Sequence, residues 1–133
     1  MAEHATYPFG TFCWNELATT DADVAKKFYT ELFGWNLKQG DVAPIAYSEI
    51  MAGERPIGGI YQMGKEFGDA PSHWMSYVAV EDVDASARRV EELGGKIRVP
   101  PTDIPNVGRF CVITDPTGAT LSLVALAGEQ SNS

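Results

Sequence analysis

An α+β fold built from two βαβββ modules is predicted by three observations. The chain matches itself at an offset of 61 residues, which lays Thr19–Trp35 onto Val80–Lys96. A strand-like run precedes each copy. After each copy comes a stretch that Pro and Gly break into three short apolar runs.

The first run is Thr11–Leu17 (TFCWNEL). A helix over Asp21–Phe33 follows, with Thr20 or Asp21 as its N-cap and acids in a first turn that suits the positive end of the dipole. Val24, Phe28 and Leu32 recur at every fourth residue and give the helix an apolar stripe, with Leu17 expected beneath it. Trp35–Lys38, Ala46–Met51 and Ile57–Met63 read as three strands, and Gly64–Ser72 as a linker. The second module repeats the order with strand Trp74–Val80 and helix Val83–Leu93, followed by runs Lys96–Val99, Arg109–Thr114 and Thr120–Leu126. At the 61-residue offset Asp21 falls on Asp82, Asp23 on Asp84, Lys27 on Arg88, Glu31 on Glu92 and Gly34 on Gly95. The two glycines lie where left-handed C-caps are wanted. Asp115-Pro116-Thr117-Gly118 is a turn signal between the last two strands.

The 133 residues therefore read as a single domain, with modules 10–63 and 73–126 joined by linker 64–72. One helix covers one face of a four-stranded sheet, so two halves docked side by side are expected to make a curved mixed sheet with a cleft on its inner face. The rival is one continuous α+β domain without duplication.

Apolar residues at 44% and charged residues at 21% are ordinary for a globular chain and exclude disorder. A net charge of -8 argues against a nucleic-acid backbone or an anionic membrane as partner. No apolar run is long enough to span a bilayer, and the opening MAEHATYPFG has neither a basic end nor an apolar stretch. The expectation is a soluble cytoplasmic protein. Cys13 and Cys111 lie in strand-like runs without a CxxC, so two buried thiols are expected, one disulfide being the alternative on count. There is no GxSxG, P-loop or HExxH, and Gly58-Gly59 is too short for a dinucleotide fingerprint.

Asp21, Phe28-Tyr29, Leu32-Phe33-Gly34-Trp35, then Glu92-Leu93-Gly94-Gly95, Gly108-Arg109-Phe110 and Asp115-Pro116-Thr117-Gly118 carry a resemblance. The pattern resembles the vicinal oxygen chelate superfamily, in its glyoxalase/bleomycin-resistance-like branch, over about Gly10 to Leu126. The resemblance implies the glyoxalase/bleomycin resistance/dihydroxybiphenyl dioxygenase-like fold. For its enzymes it also implies a metal held by His or Glu on the first and last strands of each half. Those positions here carry Trp14, Met75, Ser122 and either Tyr61 or Gln62. None is a good ligand for an ion that prefers carboxylate and imidazole. No metal and no cofactor is therefore expected. A relocated site from Glu16 and His73 would be one or two ligands short. His73 reads instead as a strand-end residue bonded to the linker, and Glu16 as a cleft carboxylate.

What remains is an aromatic cleft. Alternation puts Phe12, Trp14 and Glu16 on one face of the first strand, and His73, Met75 and Tyr77 on the matching face of the second module. These residues with Ser122 are the candidate ligand contacts, suited to a hydrophobic or aromatic small molecule. No catalytic residue is assigned, and Arg109 is a candidate anion contact at the rim. Three function classes stay open: a metal-free small-molecule binder, a metal-dependent glyoxalase- or dioxygenase-like enzyme, and a structural or regulatory partner with a closed cleft. A homodimer is expected, through an exposed patch of Ile57, Ile60, Met63 and Phe67.

Overall fold

The computed structural model describes residues 7–39, 47–105 and 107–127, so His4 and the start of the Ala46–Met51 run lie outside the described residues. The element order is β1 (Phe12–Thr19), α1 (Ala22–Phe33), β2 (Asn36–Gln39), β3 (Tyr47–Ala52), β4 (Arg55–Gln62), β5 (His73–Ala79), α2 (Val83–Glu92), β6 (Lys96–Ile104), β7 (Gly108–Thr114) and β8 (Thr120–Leu126). A single 3-10 turn, Lys65–Phe67, interrupts the stretch expected to be a plain linker.

Two compact units result. Asn15–Met75 form one; Ser76 onward, with the described residues before Asn15, form the other. The first runs β2-β3-β4-β1 and the second β6-β7-β8-β5. In each, the first strand lies parallel to the last, with Glu16 opposite Gly59 in one and Tyr77 opposite Ser122 in the other. The remaining pairs are antiparallel. Both units are thus βαβββ, as the internal repeat requires.

Local chemistry sets the helix ends. Asp21 caps α1 by accepting the Val24 N–H at 3.1 Å, and Asp82 caps α2 by accepting the Ala85 N–H at 3.0 Å. Gly34 closes α1 at φ 72°, as expected. The second helix corrects the expectation for Gly95. Gly94 takes the left-handed turn at φ 93°, while Gly95 is required because a Cβ there would press on the Thr114 carbonyl and the Val90 side chain.

Each helix covers one face of its own sheet. Val83 and Ala87 of α2 pack with Cys111, Ile113, Leu123 and Ala125. In the first unit Leu17, Ile50 and Ile60 form the core, and α1 meets it with Ala25 and Tyr29. This overturns the expected stripe: Val24, Phe28 and Leu32 are exposed, on a helix with no fully buried residue. The covered part of α1 is the Ala25–Tyr29 side, and periodicity marks an apolar arc without saying which part of it is covered. The expected dimer patch is likewise corrected. Ile60 is fully buried and Ile57, Met63 and Phe67 are half-buried, because β4 lies between β3 and β1. Cys13 and Cys111 are buried and form no disulfide.

Strand β6 runs past its expected end through Pro100 and Pro101. It is paired only with β7 and shifts register between Ile97 and Val99 and again before Thr102, the setting in which a strand tolerates proline. Arg109 on β7 is not an open anion contact. Its guanidinium donates to both carboxylate oxygens of Asp84, at 2.8 and 3.0 Å, and to Asp103 at 2.9 Å. The Arg109 hydrogen bonds hold the Asp84 carboxyl below its usual range. A carboxylate with a lowered folded-state pKa adds stability above its ordinary pKa and loses it as pH falls through the lowered one. Arg109→Met is therefore expected to lower the melting temperature modestly at neutral pH, the groups being partly exposed. The gap to wild type should close as pH drops below about 4. A gap that persists undiminished in acid would mean that packing of the arginine stem, not the ion pair, carries the effect.

Candidate functional site

The site follows from which sheet face the helix leaves uncovered. In the first unit Leu17, Ile50 and Ile60 face α1. Alternation then sends Glu16, Tyr47, Glu49, Gly59 and Tyr61 to the opposite face. Register aligns them in two cross-strand rows, Glu16–Gly59–Glu49 and Ala18–Tyr61–Tyr47. The buried Tyr47 hydroxyl donates to Glu16 Oε2 at 2.8 Å. Gly59 makes room for that bond, since a Cβ there would occupy the place of the Tyr47 hydroxyl.

Tyr61 stacks on Tyr47 with ring centroids 6.3 Å apart, and the ring series continues through Phe67 to His73. Burial first, then the Glu16 and Glu66 charges, push the Tyr61 hydroxyl up to about 12. It stays protonated, a hydrogen-bond donor across the working pH range. His73 Nδ1 lies 2.8 Å from the Pro71 carbonyl and so carries its proton there, leaving Nε2 as the acceptor of the neutral ring. Chemically, this face offers a half-buried carboxylate, protonated phenols and a wall of aromatic rings.

In the second unit Cys111, Ile113, Leu123 and Ala125 pack toward α2, which sends Ser122, Thr120 and Thr114 to the uncovered face. Ser122 is fully buried, and among the described residues its hydroxyl has no hydrogen-bond partner. Tyr77 lies directly across from it on β5. Farther along the same face a depression of about 380 Å³ is lined by Lys96, Arg98, Thr114, Thr120 and the Asp115-Pro116 turn. The Asp115 carboxylate is turned into its own loop. It accepts from the Thr117 N–H and hydroxyl and the Ala119 N–H, and these bonds lower its pKa.

The sequence-derived contacts divide between the units. Glu16, His73 and Met75 belong to the first; Phe12, Trp14, Tyr77 and Ser122 belong to the second. Trp14 is 7% exposed, whereas Phe12 is 68% exposed. Tyr47 and Glu49 join the site without a sequence signal of their own. Their strand is legible in the sequence, and its alternation about buried Ile50 assigns them to the Glu16 face. Gln62, weighed as a weak metal ligand, is engaged elsewhere: its amide bridges the Thr20 carbonyl at 2.8 Å and the Ala22 N–H at 2.9 Å.

The donor set does not suit a divalent metal. Trp14, Met75, Ser122 and either Tyr61 or Gln62, the positions that the resemblance aligns with the metal ligands, carry neither a carboxylate nor an imidazole. Among the described residues no three His, Cys, Asp or Glu side chains are grouped to hold one. No helix among them is long and apolar enough to cross a membrane.

Comparison with known proteins agrees with this architecture. A mycobacterial protein named "Putative glyoxylase CFP32" (Mycobacterium tuberculosis, strain CDC 1551 / Oshkosh) is 38% identical over 122 residues, covering 91% of this chain and 46% of the relative. "Anthracycline biosynthesis protein DnrV" of Streptomyces peucetius is 31% identical, covering 86% of this chain and 46% of the relative. The chain thus spans less than half the length of the curated relatives it matches. Among solved structures, methylmalonyl-CoA epimerase from Mycobacterium tuberculosis shares the fold with a TM-score of 0.59 at 18% identity, covering all of both chains. The protein BH1468 from Bacillus halodurans C-125 does so with a TM-score of 0.65 at 12% identity, over 87% of this chain and 94% of that one. The model of one family matches residues 9–123, and by that match, together with the 38% identical relative, the chain belongs to the Glyoxalase/Bleomycin resistance protein/Dioxygenase superfamily.

Proposed function

We propose that this chain is a small-molecule-binding member of the superfamily that works without the usual metal. In this reading it holds a hydrophobic or aromatic ligand against the helix-free sheet faces, and functions as a cytoplasmic homodimer of single-domain chains. Trp14, Glu16, His73, Met75, Tyr77 and Ser122 are the contacts, with Phe12 at the margin. Modules 10–63 and 73–126 act together as that domain.

The observation that carries the reading is Ser122. A buried hydroxyl without a partner costs about 1–3 kcal/mol. It stands at a position where the superfamily's enzymes put a metal donor, on a face lined by aromatic and polarizable side chains. A ligand atom that displaces the side chains covering this hydroxyl and bonds to it offsets that cost. The name of the Streptomyces relative adds support for an aromatic ligand, since anthracyclines are flat and polycyclic.

Ser122→Ala is therefore expected to move two measurements in opposite directions. Stability should rise by about 1 kcal/mol, because the orphan hydroxyl is gone. Affinity for an anthracycline, followed by tryptophan fluorescence, should fall several-fold. A rise in melting temperature with unchanged affinity would reduce Ser122 to a packing defect and remove the main support for the reading.

A second reading, a metal-dependent glyoxalase-like enzyme, has in its favour the name of the mycobacterial relative and the half-buried Glu16 bonded to Tyr47. Metal analysis with native mass spectrometry of the purified protein separates the two. A stoichiometric divalent ion, or an activity lost on chelation, favours the enzyme.

A further inference from the structure

The depression at the end of the second unit's helix-free face plays no part in the proposed ligand contacts. Its floor is a cross-strand row, Lys96–Thr114–Thr120, running over β6, β7 and β8. Neighbours in such a row stand about 4.5–5.5 Å apart at Cβ, so a small group above Thr114 is within reach of both flanking side chains. Alternation carries Arg98 to the same face, on the strand at the edge of the sheet. Gly94, Pro116 and Gly118 make the far wall, which offers no spare donor. Pro116 lacks an N–H, and those of Gly94 and Gly118 are bonded to the Glu91 and Asp115 carbonyls at 3.2 and 2.9 Å. The four polar side chains on the other side are uncommitted. Among the described residues neither Lys96 nor Arg98 forms an ion pair, and neither the Thr114 nor the Thr120 hydroxyl has a hydrogen-bond partner. Asp115, the one acid in the lining, is occupied by its own turn, where Oδ1 accepts three bonds. In a chain of net charge -8, two neighbouring cations outnumber the acids here.

We propose that this depression binds the phosphoryl group of a small phosphate-bearing molecule, with Arg98 and Lys96 balancing its charge and Thr114 and Thr120 donating to its oxygens. The site uses none of the contacts assigned to the hydrophobic ligand, so it goes beyond that reading and does not depend on it. A phosphate ester carries a charge of about −1.5 to −2 at pH 7 and three strong acceptor oxygens. Two cations and two hydroxyls match that charge and that number of acceptors. A carboxylate, with one charge and two oxygens, is satisfied by the arginine fork alone and leaves Lys96 and the threonines without a role. The volume of about 380 Å³ lies at the small end for ligand pockets and leaves room beside the phosphoryl group for an organic body. Both cations are exposed, so added salt should weaken the contact.

Isothermal titration calorimetry of the full chain with phenyl phosphate, inorganic phosphate and benzoate tests the proposal. The proteins are wild type, Arg98→Gln, Lys96→Gln and Arg88→Gln, the last removing an equal charge from an exposed position on α2 outside the depression. Wild type should bind phenyl phosphate at one site. Arg98→Gln and Lys96→Gln should each weaken that binding roughly tenfold, as for the loss of one hydrogen bond to a charged group, and Arg88→Gln should leave it unchanged. Tighter binding of phenyl phosphate than of inorganic phosphate assigns an ester as the natural form. Inorganic phosphate bound as tightly or more so assigns the free anion, and either result supports the site. Benzoate held as tightly as phenyl phosphate overturns the phosphoryl assignment. A wild type that takes up neither phosphate at millimolar concentration overturns the site, as does an equal loss in Arg88→Gln. Phosphate binding that survives both the Arg98 and the Lys96 substitutions lies elsewhere on the protein and overturns the assignment to this depression.

Discussion

Trp14→Ala is expected to remove about 3–5 kcal/mol of stability, the usual loss when a buried tryptophan is cut to alanine. Trp14 is nearly covered where it enters β1, so its removal leaves a large cavity that neighbouring strand backbone cannot close. For a domain whose whole stability is about 5–15 kcal/mol, that is a large share. A urea midpoint that falls with little change in slope would report it. A loss below ~1 kcal/mol would show that Trp14 is not part of a packed core. Because alanine compromises the fold, Trp14→Phe is the better probe of ligand affinity. It keeps an aromatic face while removing the indole, and its fluorescence change isolates Trp14 from Trp35 and Trp74.

The second large effect is expected at the glycine pair of β4. A Cβ on Gly58 would run into the backbone carbonyl of Asn15, its partner across the parallel β1–β4 ladder. Neither side can yield without parting the strands. Gly58→Ala is therefore expected to cost about 3 kcal/mol, the upper end for overpacking, and to lower Tm by roughly 10 °C. The neighbouring Gly59→Ala meets only the end of a side chain. The buried Tyr47 ring must shift as a unit, at the loss of its bond to Glu16, while the strand backbones keep their pairing. Thermal unfolding of the two variants side by side should show the Gly58 change as the larger. Equal losses would mean that the ladder is looser than its geometry implies.

That pair shows where sequence reading stops. Gly58-Gly59 is visible as a doublet too short for a dinucleotide motif, but its reason is a carbonyl 43 positions away for one glycine and a tyrosine ring for the other. The elements themselves were legible because their signals are local: Asp21 and Asp82 capping helices, Gly34 ending one, Asp115-Pro116-Thr117-Gly118 turning the chain. The repeat then predicted the topology, since two modules that share punctuation share a fold. Long-range choices were not legible. Arg109 pairs with Asp84, 25 positions back on α2, and Glu16 with Tyr47, 31 positions ahead. The α1 stripe reads as core in the sequence and is exposed in the structure, because periodicity reports that a face is apolar and not what lies against it.

The division of the chain also imposes an order in time. Asn15–Met75 is continuous, so a growing polypeptide holds everything the first unit needs once Met75 has emerged. The residues just before it are in a different position. Gly10 and Thr11 bond through their backbones to Ala79, at 2.7 and 2.9 Å, and Trp14 belongs with residues from Ser76 onward. At a synthesis rate of roughly 5–20 residues per second, these early residues wait several seconds for their partners. Through that interval the ribosome displays a first unit whose flanking residues Phe12 and Trp14 still lack their later partners. A translational pause just before Ala79 would prolong the exposure of those residues, and one placed after Leu126 would not.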